Sequence, residues 1–106
     1  MTGDLLKLYL AQTAKHDGKL LYEWLLEEAK KLGIPGGSAF RAVAGYGRHG
    51  RIHEEHFFEL AGDQPVMLEF FAEAAAIDRL LARLGEEGIA LFYVRLPGTS
   101  GLTGQH

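Results

Sequence analysis

The sequence predicts an α+β fold with two helices on one face of a four-stranded antiparallel sheet. Three observations carry this prediction: four apolar runs with strand character, two segments with apolar residues at helical spacing, and glycine clusters that separate them. Their order along the 106 residues is strand, helix, strand, strand, helix, strand. This βαββαβ order is that of a ferredoxin-like domain, which we expect over residues 1–96, with a flexible tail over residues 97–106.

The first half of the chain supplies two strands and a helix. Residues 5–11 are apolar at almost every position, which is typical of a strand shielded from water on both faces. Asp17 is placed to cap the helix that follows, and Gly33 is placed to end it in the left-handed conformation. The helix itself is indicated by apolar side chains at helical spacing, namely Leu21, Trp24, Leu25 and Leu32. A second strand is predicted over residues 39–44.

The second half repeats this pattern after a polar stretch. Residues 45–56 include few apolar side chains, which predicts a long loop, and residues 57–60 then have some strand character. Pro65 introduces a clear strand over residues 66–71, because the first residue of a strand can lack an N–H. A second amphipathic helix is indicated by Ile77, Leu80, Leu81 and Leu84. The last strand is predicted over residues 89–95.

The predicted strands are apolar on both faces, although two helices can cover only one. In the first strand, one face has Leu6, Leu8 and Leu10, and the opposite face has Leu5 and Tyr9. Burying apolar surface is worth roughly 25 cal/mol per Å², so an open sheet face would forgo much stabilisation and promote aggregation. We therefore predict an obligate oligomer assembled through its sheets. The alternative is that the termini fold back over the sheet, for which a tail of Gly, Ser and Thr is poor material.

Composition excludes several classes of protein. Eleven Lys and Arg against fourteen Asp and Glu give a net charge of -3, which argues against nucleic-acid binding through bulk charge. The chain has no cysteine, so it has no disulfides and no thiolate metal site, which fits a cytoplasmic protein. The first residues lack the apolar run of a signal peptide, and no stretch approaches the roughly 18 apolar residues that cross a bilayer. We expect no membrane insertion.

Gly45, Gly47 and Gly50 form the pattern GxGxxG, which also occurs in dinucleotide-binding folds. No helical period follows them, so the Rossmann interpretation is disfavoured. Two interpretations stay open. The glycines let the backbone approach a nucleotide, with amide N–H groups and Arg48 meeting phosphate, or they form a plain turn at the end of a strand.

Four arginines are candidates for phosphate binding, because a guanidinium offers forked donors that match phosphate oxygens. They are Arg41, Arg48, Arg51 and Arg95. For Arg41 the structural alternative is an ion pair with a carboxylate such as Glu69 on a neighbouring strand. The segment of His16, Asp17 and Lys19 is open to two interpretations as well, a helix cap with a solvated lysine or a ligand site.

Three histidines, His49, His53 and His56, lie within eight residues and are flanked by Glu54 and Glu55. On a helix they could bind zinc or copper, whereas in an extended loop His56 points away from the other two. A metal site at these histidines is thus the alternative to nucleotide binding, and the main hypothesis requires no metal. Ser38 and Ser100 have no patterned His and acid partners, so we predict no enzymatic activity and no catalytic residue.

Three short motifs follow one another in a distinctive order and spacing. They are HDGK at residues 16–19, GGSAFRAVAGYGRHGRIHEEHFF at residues 36–58, and QPVMLEF from Gln64. Together they resemble the PII-like family catalogued as domain of unknown function 190, over about residues 4–95. That family is related to the PII signal-transduction proteins. The resemblance implies the ferredoxin-like fold and a homotrimer with its sheets facing inward.

The resemblance also implies a ligand and a mode of action. An adenine nucleotide would bind in the clefts between subunits, and the loop of residues 46–56 would respond to it and contact a partner protein, such as a membrane transporter. The nucleotide-binding residues implied are Gly45, Tyr46, Gly47 and Arg48, with Arg41, His49 and Arg95 as further candidates.

The chain departs from the PII pattern at three places. Phe57 replaces a tyrosine that some PII proteins have modified, so control by uridylylation is not expected. Glu86 and Glu87 replace a Gly and Lys rich segment that holds the outer phosphates, and their charges favour AMP or ADP over ATP. His49 stands near the position of a loop glutamine linked to 2-oxoglutarate binding, which is therefore in doubt.

Overall fold

The computed structural model describes residues 1–48, 55–59 and 65–104. Its strands are β1 (Thr2–Ala11), β2 (Lys15–His16), β3 (Lys19–Leu20), β4 (Gly37–Arg41), β5 (Ala44–Arg48), β6 (Glu55–Glu59), β7 (Pro65–Ala72) and β8 (Phe92–Thr99). Its helices are α1 (Leu21–Lys31) and α2 (Ala74–Glu86).

Four of the strands form the main sheet, in the order β4, β7, β1, β8. Every neighbouring pair is antiparallel, and Leu8 in β1 stands opposite Leu68 on one side and Tyr93 on the other. The two helices follow the first and third of these strands in chain order, which is the ferredoxin-like connection. The predicted α+β fold is confirmed.

The core lies between the helices and one face of the sheet. Its residues include Leu6, Leu8, Leu10, Val66, Leu68 and Phe70 from the strands and Leu25, Ala29, Ile77 and Leu80 from the helices. At the edge of this layer, a Cβ on Gly37 would lie 2.4 Å from Phe70 Cε1 and 3.2 Å from Leu26 Cδ2. Only glycine lets β4 approach the core this closely.

Both helices end at a glycine in the left-handed conformation, as predicted for Gly33 after α1. Gly33 has φ of 84°, and Ile34 donates its N–H to Ala29 O at 3.1 Å, which closes a Schellman motif after α1. Gly88 has φ of 68°, and Ile89 donates to Leu84 O at 3.0 Å, which closes the same motif after α2. The second motif fixes the backbone beside Glu87.

The predicted cap at Asp17 is wrong. The N-cap residue of α1 is Leu20, and Asp17 with Gly18 forms the two-residue turn between β2 and β3 instead. Both turn residues have positive φ, 51° and 78°, as a type I′ hairpin turn requires. An Asp-Gly pair suits this turn as well as Asp suits a cap, so the local sequence alone did not distinguish them.

The predicted loop over residues 45–56 is partly a hairpin. The second strand of the main sheet ends at Arg41, and a separate strand, β5, pairs with β6 so that Gly45 stands opposite Phe58 and Gly47 opposite His56. Backbone pairing requires no apolar side chains, so the polar composition of the segment concealed β5. The strand character predicted for residues 57–60 corresponds to β6.

The last strand is shifted towards the C-terminus. The sequence predicts it over residues 89–95, yet β8 runs from Phe92 to Thr99, and so residues 97–99 of the predicted tail belong to the sheet. Thr99 stands opposite Thr2, and Ser100 donates its N–H to Met1 O at 2.8 Å. The pairing extends this far because β1 begins at Thr2 and offers backbone hydrogen-bond partners, whichever side chains β8 carries there.

Candidate functional site

The second face of the sheet, which the helices do not cover, is largely apolar. We call it the open face. The cross-strand register aligns Phe40, Met67, Tyr9 and Phe92 in one row across all four strands. Phe92 is 71% exposed and Phe40 is 48% exposed. A second row contains Phe71, Leu5 and Leu96, and Glu69 and Lys7 stand opposite each other in the row between.

A pocket of about 280 Å³ opens between edge strand β4 and helix α1. The residues that line it are Gln12, Tyr22, Ala39, Phe40, Arg41 and Val66. Arg41 donates its Nε–H to Gln12 Oε1 at 3.1 Å and is otherwise exposed. The predicted alternative for Arg41, a pair with Glu69, is wrong because the register puts Arg41 opposite Val66 and Glu69 opposite Ser38, on the other face of the sheet.

Arg95 is held by protein acceptors. It donates Nε–H to Asp4 Oδ2 and Nη1–H to Asp78 Oδ1, each at a distance of 2.7 Å. It also donates Nη2–H to Ala74 O at 3.1 Å. Hydrogen bonds to Asp78 and Asp4 raise the pKa of Arg95. A phosphate at Arg95 would have to displace these carboxylates. The sequence did not predict the two ion pairs, because Asp4 and Asp78 are distant from Arg95 along the chain.

The HDGK segment forms the β2–β3 hairpin and packs against both helices. His16 Nε2 lies 2.8 Å from Glu87 Oε1 and 3.5 Å from Asp17 Oδ2, and the His16 ring meets Trp24 edge-on with centroids 4.7 Å apart. Lys19 donates to Glu27 Oε1 at 2.6 Å, so the lysine is paired with α1. Hydrogen bonds from His16 and then from Arg83 lower the pKa of Glu87.

Arg83 connects this hairpin to a buried carboxylate that the sequence interpretation missed. It donates Nη1–H to Glu87 at 2.7 Å and Nε–H to Glu28 at 3.0 Å, and its guanidinium lies 5.6 Å from the centre of the Trp24 ring. Burial tends to raise the pKa of Glu28, but hydrogen bonds from Lys31 and Arg83 outweigh it and lower the pKa. The i, i+4 spacing of Arg83 and Glu87 was readable in the sequence, whereas the contact between the helices was not.

Two glycines of the GxGxxG motif, Gly45 and Gly47, lie in the first strand of the β5–β6 hairpin, and Gly50 lies outside the described residues. Gly45, Tyr46 and Gly47 are in β5, and the Tyr46 side chain is exposed. Arg48 ends this strand opposite Glu55. The predicted sites at His49, Arg51 and His53 lie outside the described residues, and so does most of the alternative histidine metal site.

This arrangement, a ferredoxin-like sheet with a hairpin between its second and third main strands, is the fold of PII-like proteins. A crystal structure from Thermus thermophilus, described as that of a PII-like signaling protein, matches with a TM-score of 0.59 and 24% identity. The match covers 92% of this chain and 86% of that one.

Residues 3–90 match the model of the DUF190 family, described as Uncharacterized ACR, COG1993, and the chain belongs to this family. It is 36% identical over 80 residues to the UPF0166 protein of Aquifex aeolicus, covering 76% of each chain. It is 33% identical over 82 residues to the UPF0166 protein of Methanocaldococcus jannaschii, covering 77% of this chain and 75% of the relative. Within the described residues, neither helix is long and apolar enough to cross a membrane.

Proposed function

We propose that the protein is a cytoplasmic PII-like signalling protein that forms a homotrimer and binds an adenine nucleotide at its subunit interfaces. The loop of residues 46–56 acts as the switch that contacts an unidentified partner protein, such as a membrane transporter. The protein works by binding and not by catalysis. The observation that carries the proposal is the open face, because an exposed apolar surface of this kind on a small domain is typical of an assembly interface.

The open face supports packing of one sheet against another. Its two apolar rows remove aromatic and aliphatic side chains from water when copies meet, and this is the main favourable term in association. The row between them holds Lys7 opposite Glu69, so the charges there have a partner of opposite sign when they become buried. The helix face of the sheet is already occupied by the core.

The pocket beside β4 supports nucleotide binding. Arg41 offers forked donors for phosphate, Tyr22 offers a ring face for a base, and Gln12 offers an amide for its edge. Its volume of about 280 Å³ is small for a cofactor site, which typically exceeds about 300 Å³. A second subunit would supply the remaining wall, because β4 is an edge strand.

The glycine motif supports the link between ligand and switch. Arg41 ends β4, and the next strand begins at Ala44 and contains Gly45, Tyr46 and Gly47. A phosphate held by Arg41, by Arg48 and by the amides of this strand would contact the base of the hairpin directly. Such contacts would favour one hairpin conformation over others and so change the surface that a partner meets. His49 and Arg95 are further candidate contacts, although Arg95 would first have to leave Asp4 and Asp78.

AMP or ADP is the proposed ligand in preference to ATP. The preference depends on Glu86 and Glu87, whose charges oppose an outer phosphate. Arg83 offsets part of this charge, since it lies 2.7 Å from Glu87 and 3.6 Å from Glu86. We therefore expect the discrimination against ATP to be moderate.

Calorimetric titration with AMP, ADP and ATP tests the proposal. Arg41→Ala and Arg48→Ala should each weaken binding about 10-fold or more, because each removes a charge-assisted hydrogen bond to phosphate. Arg79→Ala, which removes an exposed arginine of α2, is the matched control and should bind as the original protein does. No heat with any of the three nucleotides, or equal losses in all three variants, would refute nucleotide binding at this site.

A further inference from the structure

The turn of the β2–β3 hairpin and the end of α2 bring an imidazole and two carboxylates together. His16, Asp17 and Glu87 each offer one ligand atom, and these three atoms lie within 4.8 Å of one another. Residues 16 and 87 are 71 positions apart in the chain, so the tertiary fold creates the cluster. None of these three residues lines the pocket beside β4.

We infer that His16, Asp17 and Glu87 bind a divalent cation of the Zn²⁺ class. The inference starts from His16 Nε2, a single nitrogen that faces carboxylate oxygens at 2.8 Å and 3.5 Å. When Nε2 carries a proton it donates to Glu87 Oε1, and a metal ion that takes the place of this proton would meet the nitrogen lone pair and both carboxylates at one positive centre. A proton can be shared at hydrogen-bond distance with Glu87 only, whereas a metal ion would satisfy all three groups.

The spacing of the ligand atoms suits a metal ion. Zn²⁺ binds nitrogen and oxygen at about 2.0–2.2 Å, so two ligands of a tetrahedral site are about 3.3 Å apart. The two distances from His16 Nε2, 2.8 Å and 3.5 Å, lie on either side of this value. Small side-chain movements would complete the site, and water would fill the fourth position.

Neighbouring groups hold two of the ligands in place. Trp24 meets the His16 ring edge-on and limits its rotation. Arg83 binds Oε2 of Glu87 at 2.7 Å, so Oε1 is left to face His16. Support of this kind around the ligands is what orients a metal site and tunes its affinity.

The charge and exposure of the cluster favour a cation. Ion pairs connect the cluster to a wider group of charged side chains. The group contains four carboxylates and two cations, namely Asp17, Glu28, Glu86 and Glu87 with Arg83 and Lys31. Negative charge is therefore in excess when His16 is neutral. The side chains of His16 and Glu87 are 18% and 25% exposed and that of Asp17 is 73% exposed, so an ion can enter from the Asp17 side.

Zn²⁺ titration followed both by calorimetry and by Trp24 fluorescence tests the inference, which does not depend on the proposed nucleotide binding. Trp24 is the chain's single tryptophan, and its ring centre is 4.7 Å from that of His16, so metal at His16 should change its emission. We expect micromolar Zn²⁺ binding with a fluorescence change in the original protein. The same result is expected for His56→Gln on β6, which changes the alternative histidine metal site, and loss of Zn²⁺ binding in that variant would overturn the inference.

Two variants decide the outcome. His16→Gln should abolish the fluorescence response, and Asp17→Asn should weaken Zn²⁺ binding at least about 10-fold, the effect of losing one anionic ligand or its support. Asn tolerates positive φ, so Asp17→Asn should fold even if His16→Gln does not, as circular dichroism would show. Unchanged Zn²⁺ affinity in Asp17→Asn, binding heat without a Trp24 response, or no binding at millimolar Zn²⁺ would each overturn the inference.

Discussion

Arg83 of α2 donates its Nε–H to Glu28 of α1 at a distance of 3.0 Å, so an ion pair links the two helices. Glu28 is only 8% exposed, and Lys31 on its own helix is 3.2 Å away. A buried carboxylate is costly unless cations and donors surround it, and here both are present. The pair therefore fixes how α1 and α2 sit over the sheet.

Replacement of the Glu28 charge should lower stability. Glu28→Gln keeps the shape but weakens the hydrogen bonds from Arg83 and Lys31, so we expect a loss of about 1 kcal/mol in the free energy of unfolding. Urea denaturation at one protein concentration measures this. Glu23→Gln, an exposed change in the first turn of α1, is the control and should cost less than about 0.5 kcal/mol. Equal midpoints for the two variants would show that the pair contributes nothing.

Acid should destabilise the protein through Glu28 and Glu87. The pKa of each is lower than its ordinary value of 4.5, so both carboxyls bind protons more weakly in the folded than in the unfolded chain. Their contribution is complete above pH 4.5 and is lost as the pH falls through the lowered values. When urea midpoints are measured between pH 7 and pH 3, most of their decrease should therefore occur below pH 4.5. In Glu28→Gln the fall should be shallower, and an identical profile would contradict this assignment.

Gly37 should not tolerate a side chain. A Cβ there would lie 2.4 Å and 2.6 Å from two ring atoms of Phe70, at the edge of the packed layer. Gly37→Ala should therefore cost about 1–3 kcal/mol, the usual effect of overpacking a core. Gly36→Ala is the control one residue away, because nothing lies within 4 Å of the Cβ it would add. Thermal unfolding of both variants would decide, and similar midpoints would mean that Phe70 moves aside at little cost.

A charge on the open face should dissociate the proposed trimer. Phe92→Glu places a carboxylate among the apolar side chains of the face, where burial against another copy would leave it unpaired. Light scattering after gel filtration should show a trimer for the original protein and a smaller species for this variant. Leu102→Glu, at an equally exposed apolar residue beyond β8, should remain trimeric. A monomeric original protein would refute the assembly itself.

The sequence predicted the elements better than the contacts between them. The continuous apolar run in β1 identified the strand, and Gly33 predicted where α1 ends. Asp17 was misassigned because the Asp-Gly pair satisfies two local rules, and only the pairing of His16 with Lys19 selects the turn. Local patterns of this kind identify an element but do not fix its neighbours.

The candidate site was harder to predict for the same reason. Arg41 and Glu69 looked complementary, yet the sheet register puts them on opposite faces. Arg95 looked available for phosphate, but Asp4, 91 residues earlier in the chain, occupies its Nε–H. Each of these outcomes is set by tertiary packing over long separations, about which residue types and spacings carry little information.

The backbone hydrogen bonds between Met1 and Ser100 bring the two ends of the domain side by side. The Met1 ammonium group donates to Ser100 O at 2.7 Å, and Ser100 N–H donates back at 2.8 Å. A donor and an acceptor fluorophore attached near these residues would transfer energy efficiently in the native state and lose that transfer once the chain opens. Energy transfer between labels at these two positions would therefore report unfolding of a single subunit, and neither label would lie in the core or on the open face.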